Sequence, residues 1–380
     1  MEKPTAPAQK TFQSPVTGTK GALPALYVRW IEAVVHGPLP EESEATCSNC
    51  AMCPRSDQHS GTDQFFFDKI SKCCTYTPTL ANFMVGAILN DSARSMTTGK
   101  ATIVERLGEG LAVDPLAIRP PPAYKLLYRH SQSAFGRNST LRCPYLNSAL
   151  GTCSIWRYRD PTCATWFCKH TRGKIAQSFW KALQDFLNAV SKGLSLWCIL
   201  QLNIGDEALA ILELGKEEKM VGENLLSNEL DGRFDVDNAK KAWGRWWQRE
   251  KVFYAECTRL ISDLDFCDVE KICGPEVQVS SRLVKLAYDR MQETNLPAYL
   301  GIGHFEVEEA TVDAVRVWSY SQLDPLDLPV PIFMALSYFD GRLAHDALTM
   351  AEHDLGIRID HQVIRTLLDF GILQSSQISE

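Results

Sequence analysis

A chain of 380 residues with 45% hydrophobic content has the material for one large or two smaller packed domains, which excludes disorder throughout. Its formal net charge of −7, with no Lys/Arg cluster, excludes the basic face that general nucleic-acid binding requires. The start, Met1-Glu2-Lys3-Pro4-Thr5-Ala6-Pro7, lacks a basic region followed by an apolar run, and no stretch of about 18 uncharged apolar residues follows. The expectation is a cytoplasmic protein with no membrane span, in which thirteen cysteines, odd in number and unevenly placed, stay reduced and bind metal.

Residues 1–22, rich in Pro, Thr, Lys and Gly without hydrophobic period, are expected to be a flexible tail. A short helix follows from Leu23 to Val35. Nine cysteines then fall in two batches: Cys47, Cys50, Cys53, Cys73 and Cys74, then Cys143, Cys153, Cys163 and Cys168. Between the batches the sequence predicts a helix from Thr79 to Leu89 and a rigid connector at Arg119-Pro120-Pro121-Pro122.

From Lys174 to Leu202 the apolar residues Ile175, Phe179, Leu183, Phe186, Leu187, Val190, Leu194 and Trp197 recur every three or four positions, the clearest helical period in the chain. Gly215 to Asp235 reads as a polar surface excursion. A second helix is expected from about Ala239 to Ile261, capped by Asp235 or Asp237, and a third from near Ser281. Thr311 to Tyr320 alternates as a strand, with Ile302 to Val307 as its partner across a turn at Glu308 to Ala310. Pro331 to Leu373 reads helix, Asp340-Gly341 turn, helix, Gly356 stop, helix.

The expected fold is therefore mainly α with little β: an irregular cysteine-rich metal-binding domain over 23–173, a helical body over 174–300, and a β-hairpin with a small helical module over 301–380.

Cys47-Ser48-Asn49-Cys50-Ala51-Met52-Cys53-Pro54 carries the chemistry. Zinc sites usually draw two Cys-x2-Cys pairs from separate turns. Three close thiols with a fourth from elsewhere suit a cubane 4Fe-4S cluster, whose irons each take one thiolate, and ferredoxin runs close with the same Cys-Pro. Zinc stays open as the alternative, because soft thiolates serve both metals. Adjacent Cys73 and Cys74 point to opposite faces if extended, so one can ligate while the other packs or serves a second site.

The later batch reads Cys143-Pro144-Tyr145-Leu146, then Gly151-Thr152-Cys153-Ser154-Ile155-Trp156 and Arg159-Asp160-Pro161-Thr162-Cys163, with Trp166-Phe167-Cys168 following. Together with the first batch this resembles the bacterial cysteine-cluster family described as zinc- or iron-chelating (YkgJ-like), over about a third of the chain. Nineteen residues from Pro54 to Lys72, and Asp160 where that pattern has proline, depart from it. The resemblance implies metal binding by the nine cysteines without fixing a reaction. The flagellin lysine N-methylase is similar in joining such a cluster to a longer chain, which implies a redox or protein-modifying role; a zinc-stapled interaction protein without catalysis is the competing class.

His170 is a candidate further ligand or a polar surface residue, and Tyr76 and Arg159 are candidates to hydrogen-bond cluster sulfurs. Cys198 and Cys257 fall on apolar helix faces and are expected in the core. Cys267 and Cys273 flank a short polar segment without matching ligands. The sequence from Leu336 through Asp340-Gly341-Arg342 to Leu368 and Gly371-Ile372-Leu373 resembles the winged-helix peptide-binding modules related to the PQQ-biosynthesis chaperone. That implies a peptide or protein partner, with a helical cap over the core as the alternative.

Overall fold

The computed structural model describes residues 23–43, 50–53, 66–212 and 230–376. The expected tail over 1–22, Cys47, and most of the excursion from Gly215 to Asp235 lie outside the described residues. The architecture is mainly helical with small sheets, as the sequence led us to expect. No helix among the described residues is long and apolar enough to cross a membrane.

Helix α1 (Ala25–Val35) buries Tyr27, Trp30, Ile31, Val34 and Val35. The helix predicted from Thr79 begins instead with a two-residue strand, β1 (Leu80–Ala81), before α2 (Asn82–Asn90). After α3 (Thr97–Glu109), strands β2 (Val113–Asp114) and β3 (Ala117–Ile118) complete a small sheet of order β1-β3-β2. The triproline run leads into α4 (Pro122–His130): Pro122 sits at the first helical position, where a missing N–H leaves no hydrogen bond unmade. A short hairpin follows, β4 (Leu146–Asn147) with β5 (Thr152–Cys153), then α5 (Pro161–Thr165), capped by the Asp160 carboxylate accepting from the Cys163 amide.

Helix α6 (Gly173–Gln201) is the axis of the larger core, burying six of the eight residues whose period announced it, with Ile175 and Trp197 partly buried at its edge. Past α7 (Asp206–Ile211), the single helix predicted to end at Ile261 is two, α8 (Val236–Trp243) and α9 (Glu250–Ile261). Gly244 breaks it with φ 50° and ψ −128°, and a Cβ there would strike the Ile204 carbonyl. Asp235 is the N-cap, accepting from the amides of Asp237 and Asn238. The third predicted helix starts well before Ser281. It is α11 (Pro275–Gln292), preceded by α10 (Phe266–Cys273), with Gly274 and Pro275 making the corner. Cys267 and Cys273 therefore belong to a helix rather than to a polar segment.

The C-terminal part has its own core, around Leu300, Val317, Leu336, Phe339, Ile364 and Leu367. Its strands are β6 (Tyr299–Ile302), β7 (Glu306–Ala310), β8 (Ala314–Trp318) and β9 (Leu326–Pro329). The partner of β8 is β7, several residues later than predicted, because Thr311 bonds the Ala314 carbonyl and puts the turn at 311–313. After α12 (Val330–Ala335), the predicted Asp340-Gly341 turn is instead a strand, β10 (Asp340–Leu343), paired with β6. Helices α13 (Ala344–Leu355), ended by left-handed Gly356, and α14 (His361–Asp369) follow, and β11 (Leu373–Ser375) pairs the other side of β6. Arg172, at the start of α6, donates to Asp369 through Nε at 2.7 Å and Nη2 at 2.8 Å, tying this part to the larger core.

Candidate metal centre

The two cysteine batches meet. The amide of Cys143 donates to the carbonyl of Cys74 at 2.8 Å, and the β4–β5 hairpin sets Cys153 opposite Leu146. The meeting sorts eight cysteines into two neighbourhoods, each drawn from both batches. In the first, buried Cys168 packs with Met52 and Phe67, and Cys50, Cys53 and Cys73 line the same small cluster. In the second, Cys143 faces Cys74 and Cys153 electrostatically, and Cys163 faces Cys143 and Cys153.

The two neighbourhoods part within the adjacent pair Cys73-Cys74. Lys72 adopts φ 48°, a left-handed conformation uncommon for a residue with a side chain. It bends the chain immediately before Cys73-Cys74; Cys73 then joins the first neighbourhood and Cys74 the second. The Lys72 ammonium reaches the Gly151 carbonyl at 3.4 Å and lies within electrostatic range of both Cys53 and Cys74.

Burial governs the thiols. It pushes Cys53 up to about 11, with Cys50 adding to the shift, and Cys168 up to about 12. Cys143 and Cys163 also lie well above the ordinary thiol value through desolvation. Cys74 goes the other way: a hydrogen bond from Cys73, helped by the charges of Arg159 and Lys72, lowers it. Arg159 is nearly buried, and its guanidinium lies 3.5 Å over the Trp156 ring, so it is held as a fixed cation beside this neighbourhood. Tyr76 is half-buried, its phenol raised by burial, in range of Asp160 and Cys163.

His170 is buried rather than a polar surface residue, at 6% exposure. Desolvation lowers its imidazole to about 4. Its amide donates to Asp324 at 3.0 Å, its Nδ1 lies 3.4 Å from the Tyr320 hydroxyl, and Tyr320 in turn donates to Asp324. Lys169 pairs with the same carboxylate at 3.6 Å. Asp324 and Tyr320 thus pin the loop that carries Cys168, and sequence reasoning missed both, because nothing local marks a residue that acts 154 positions away. Cys198 and Cys257 are fully buried in the larger core, as expected.

Among the described residues, no group of three or more Cys, His, Asp or Glu side chains is closed so as to hold a metal ion. The predicted ligands are thus gathered into two neighbourhoods, not into one finished shell, and Cys47 lies outside the described residues. No family model, curated protein or solved structure matches this chain.

Proposed function

We propose that the chain is an iron–sulfur protein, with Cys50, Cys53, Cys73 and Cys168 as one ligand set and Cys74, Cys143, Cys153 and Cys163 as another. The observation that carries this reading is the sorting itself. Four thiols in each neighbourhood, drawn from segments far apart in sequence, match the one-thiolate-per-iron requirement of a cubane. A cubane's ligands stand around an inorganic core and not around a point, so neighbouring thiols need not converge as they do on zinc. The donor chemistry fits: soft thiols in largely apolar surroundings, with Lys72 and Arg159 in range of the sulfurs to offset the negative charge that thiolates bring. When bound, such a cluster supplies one-electron redox chemistry.

The kinship with the zinc- or iron-chelating cysteine-cluster family remains part of this proposal. It is supported by the end of Cys143-Pro144-Tyr145-Leu146 pairing with Thr152-Cys153 in one hairpin, Leu146 opposite Cys153. For the C-terminal part the proposed role is capture of a peptide or protein substrate by a winged-helix-like module, supported by the order β10, α13, α14, β11 about a separate core. Anaerobic purification tests the central claim. Brown protein with broad visible absorption, iron and acid-labile sulfide is the expected result; colourless protein with zinc would replace it with the zinc-stapled interaction protein.

A further inference from the structure

Helix α11 (Pro275–Gln292) is apolar on two opposite faces, and this chain's own core uses one of them. Inward it buries Val277, Val284, Tyr288 and Met291. Outward, Val279, Leu283 and Leu286 stand 57%, 53% and 57% exposed. Their spacings of four and three place them on one line, and Glu276 and Arg290, seven residues either side of Leu283, extend it. At 3.6 residues per turn the five lie within about 80° of one another, nearly opposite the buried set. Apolar side chains scattered singly over a surface are ordinary; three in unbroken succession along one helix face mark an interaction site.

The end charges say what covers this stripe. Glu276 lies in the first turn of the helix and Arg290 in the last, both exposed. Within α11 the ion pair is Lys285 with Asp289, and neither end charge has an ion partner among the described residues. A second copy of α11, laid antiparallel on the first with a two-fold axis at Leu283, matches the pattern against itself. Leu283 then meets Leu283, and Val279 packs beside Leu286 of the other copy. Glu276 of each copy meets Arg290 of the other, about 10 Å to either side of the axis. Arg282, on the flank, meets its own copy at the solvent rim, where salt screens the repulsion. From Glu276 to Arg290 the stripe runs about 21 Å. One helix pair of that length stays below the standard interface area, so the association is reversible.

We infer that α11 is the contact through which two copies of this chain form a reversible antiparallel dimer. The inference goes beyond the cluster reading and does not need it. Sedimentation equilibrium of the full-length protein from about 5 to about 500 µM tests it. The expected result is a mass that rises from one chain to two over that range and levels there. Leu283→Lys, at an exposed position, should stay monomeric throughout while keeping the parent's thermal melt. Glu276→Arg and Arg290→Glu should each weaken the dimer at least tenfold, and the two together should return it to within threefold of the parent. Each reversal also loses a favourable charge at a helix end and the double variant loses both, so recovery can come only from the restored pair. A monomer at every concentration would overturn the inference and leave the stripe to a different protein. So would a mass that climbs past two chains, a Leu283→Lys variant that still dimerises, or a double variant that dimerises no better than the single ones.

Discussion

The amide of Cys143 donates to the carbonyl of Cys74 at 2.8 Å, so the second residue of an adjacent cysteine pair is fixed to the start of the later batch. Its neighbour Cys73 packs instead with Cys50, Cys53 and Cys168. If each neighbourhood holds a cluster of its own, as proposed, the two should empty separately. Cys50→Ala and Cys143→Ala are each expected to lower iron in anaerobically purified protein by about half, and the double variant to remove nearly all of it. If either single change empties the protein completely, the cysteines form one shared site and the division into two is wrong.

Glycine 86 marks the closest approach of two helices, and a substitution there weighs two opposed effects. A Cβ on Gly86 would collide with the Tyr254 carbonyl and with Thr258 Oγ1, whose hydroxyl already donates to the Phe83 carbonyl at 2.7 Å. Alanine gains up to about 1 kcal/mol in helix propensity, whereas overpacking costs about 1–3 kcal/mol. The obstacle is backbone, which cannot rotate away, so the second effect wins. Urea denaturation of Gly86→Ala should show a net loss of about 1–2 kcal/mol; a variant as stable as its parent would mean that α2 and α9 are not packed this tightly.

What the sequence revealed and what it hid have separate physical causes. The period of Phe179, Leu183, Phe186, Leu187, Val190 and Leu194 placed α6 to within a residue because a long helix that buries one face leaves no other pattern. The same signal misled between α8 and α9: Trp243, Trp246 and Phe253 keep helical spacing across the break and all reach one core, so only the conformation of Gly244 tells of it. The clustering of the cysteines in two batches was legible from the sequence, and the structure brings the batches together. Their division was not, since it parts two adjacent residues, Cys73 and Cys74, between neighbourhoods completed by segments far apart in the sequence. Asp324 and Tyr320 gave no signal, because their partners come from the other end of a long-range fold contact.

Glu42 couples stability to pH. Its carboxylate is buried, accepting from Trp180 Nε1 at 2.6 Å and from the Thr171 amide at 2.6 Å. Desolvation nevertheless raises it above its ordinary value of 4.5, with Asp324 adding to the shift. A carboxyl whose folded value is raised binds its proton more tightly in the native state, so its contribution is full below 4.5 and is lost as pH climbs through the folded value. Glu42→Gln removes that titration. The stability of the parent should therefore fall relative to Glu42→Gln as pH rises from about 4 to 8, measured by urea midpoints at each pH. Parallel pH profiles for the two proteins would show that the buried carboxyl does not titrate differently on folding.

Asp324 links the C-terminal part to the first cysteine neighbourhood. Its carboxylate accepts from the His170 amide at 3.0 Å and from Tyr320, and pairs with Lys169 at 3.6 Å, which together hold the segment two residues past Cys168. The group is 5% exposed, so water does not readily replace it when it is removed, and Asp324→Ala leaves the buried His170 amide unsatisfied at a cost of about 1–3 kcal/mol. That cost falls on the loop, not on the hairpin of Cys143 and Cys153. Iron should then be lost selectively: Asp324→Ala is expected to retain about half of the parent's content, and Asp324→Asn, whose side-chain oxygen can still accept from His170 and Tyr320, most of it. Iron analysis on material matched for folded fraction by circular dichroism makes the comparison. Full iron in the alanine variant would show that the Cys168 loop holds its position without Asp324. Loss of all iron together with the fold would show that this carboxylate secures the whole body of the protein, not one set of ligands.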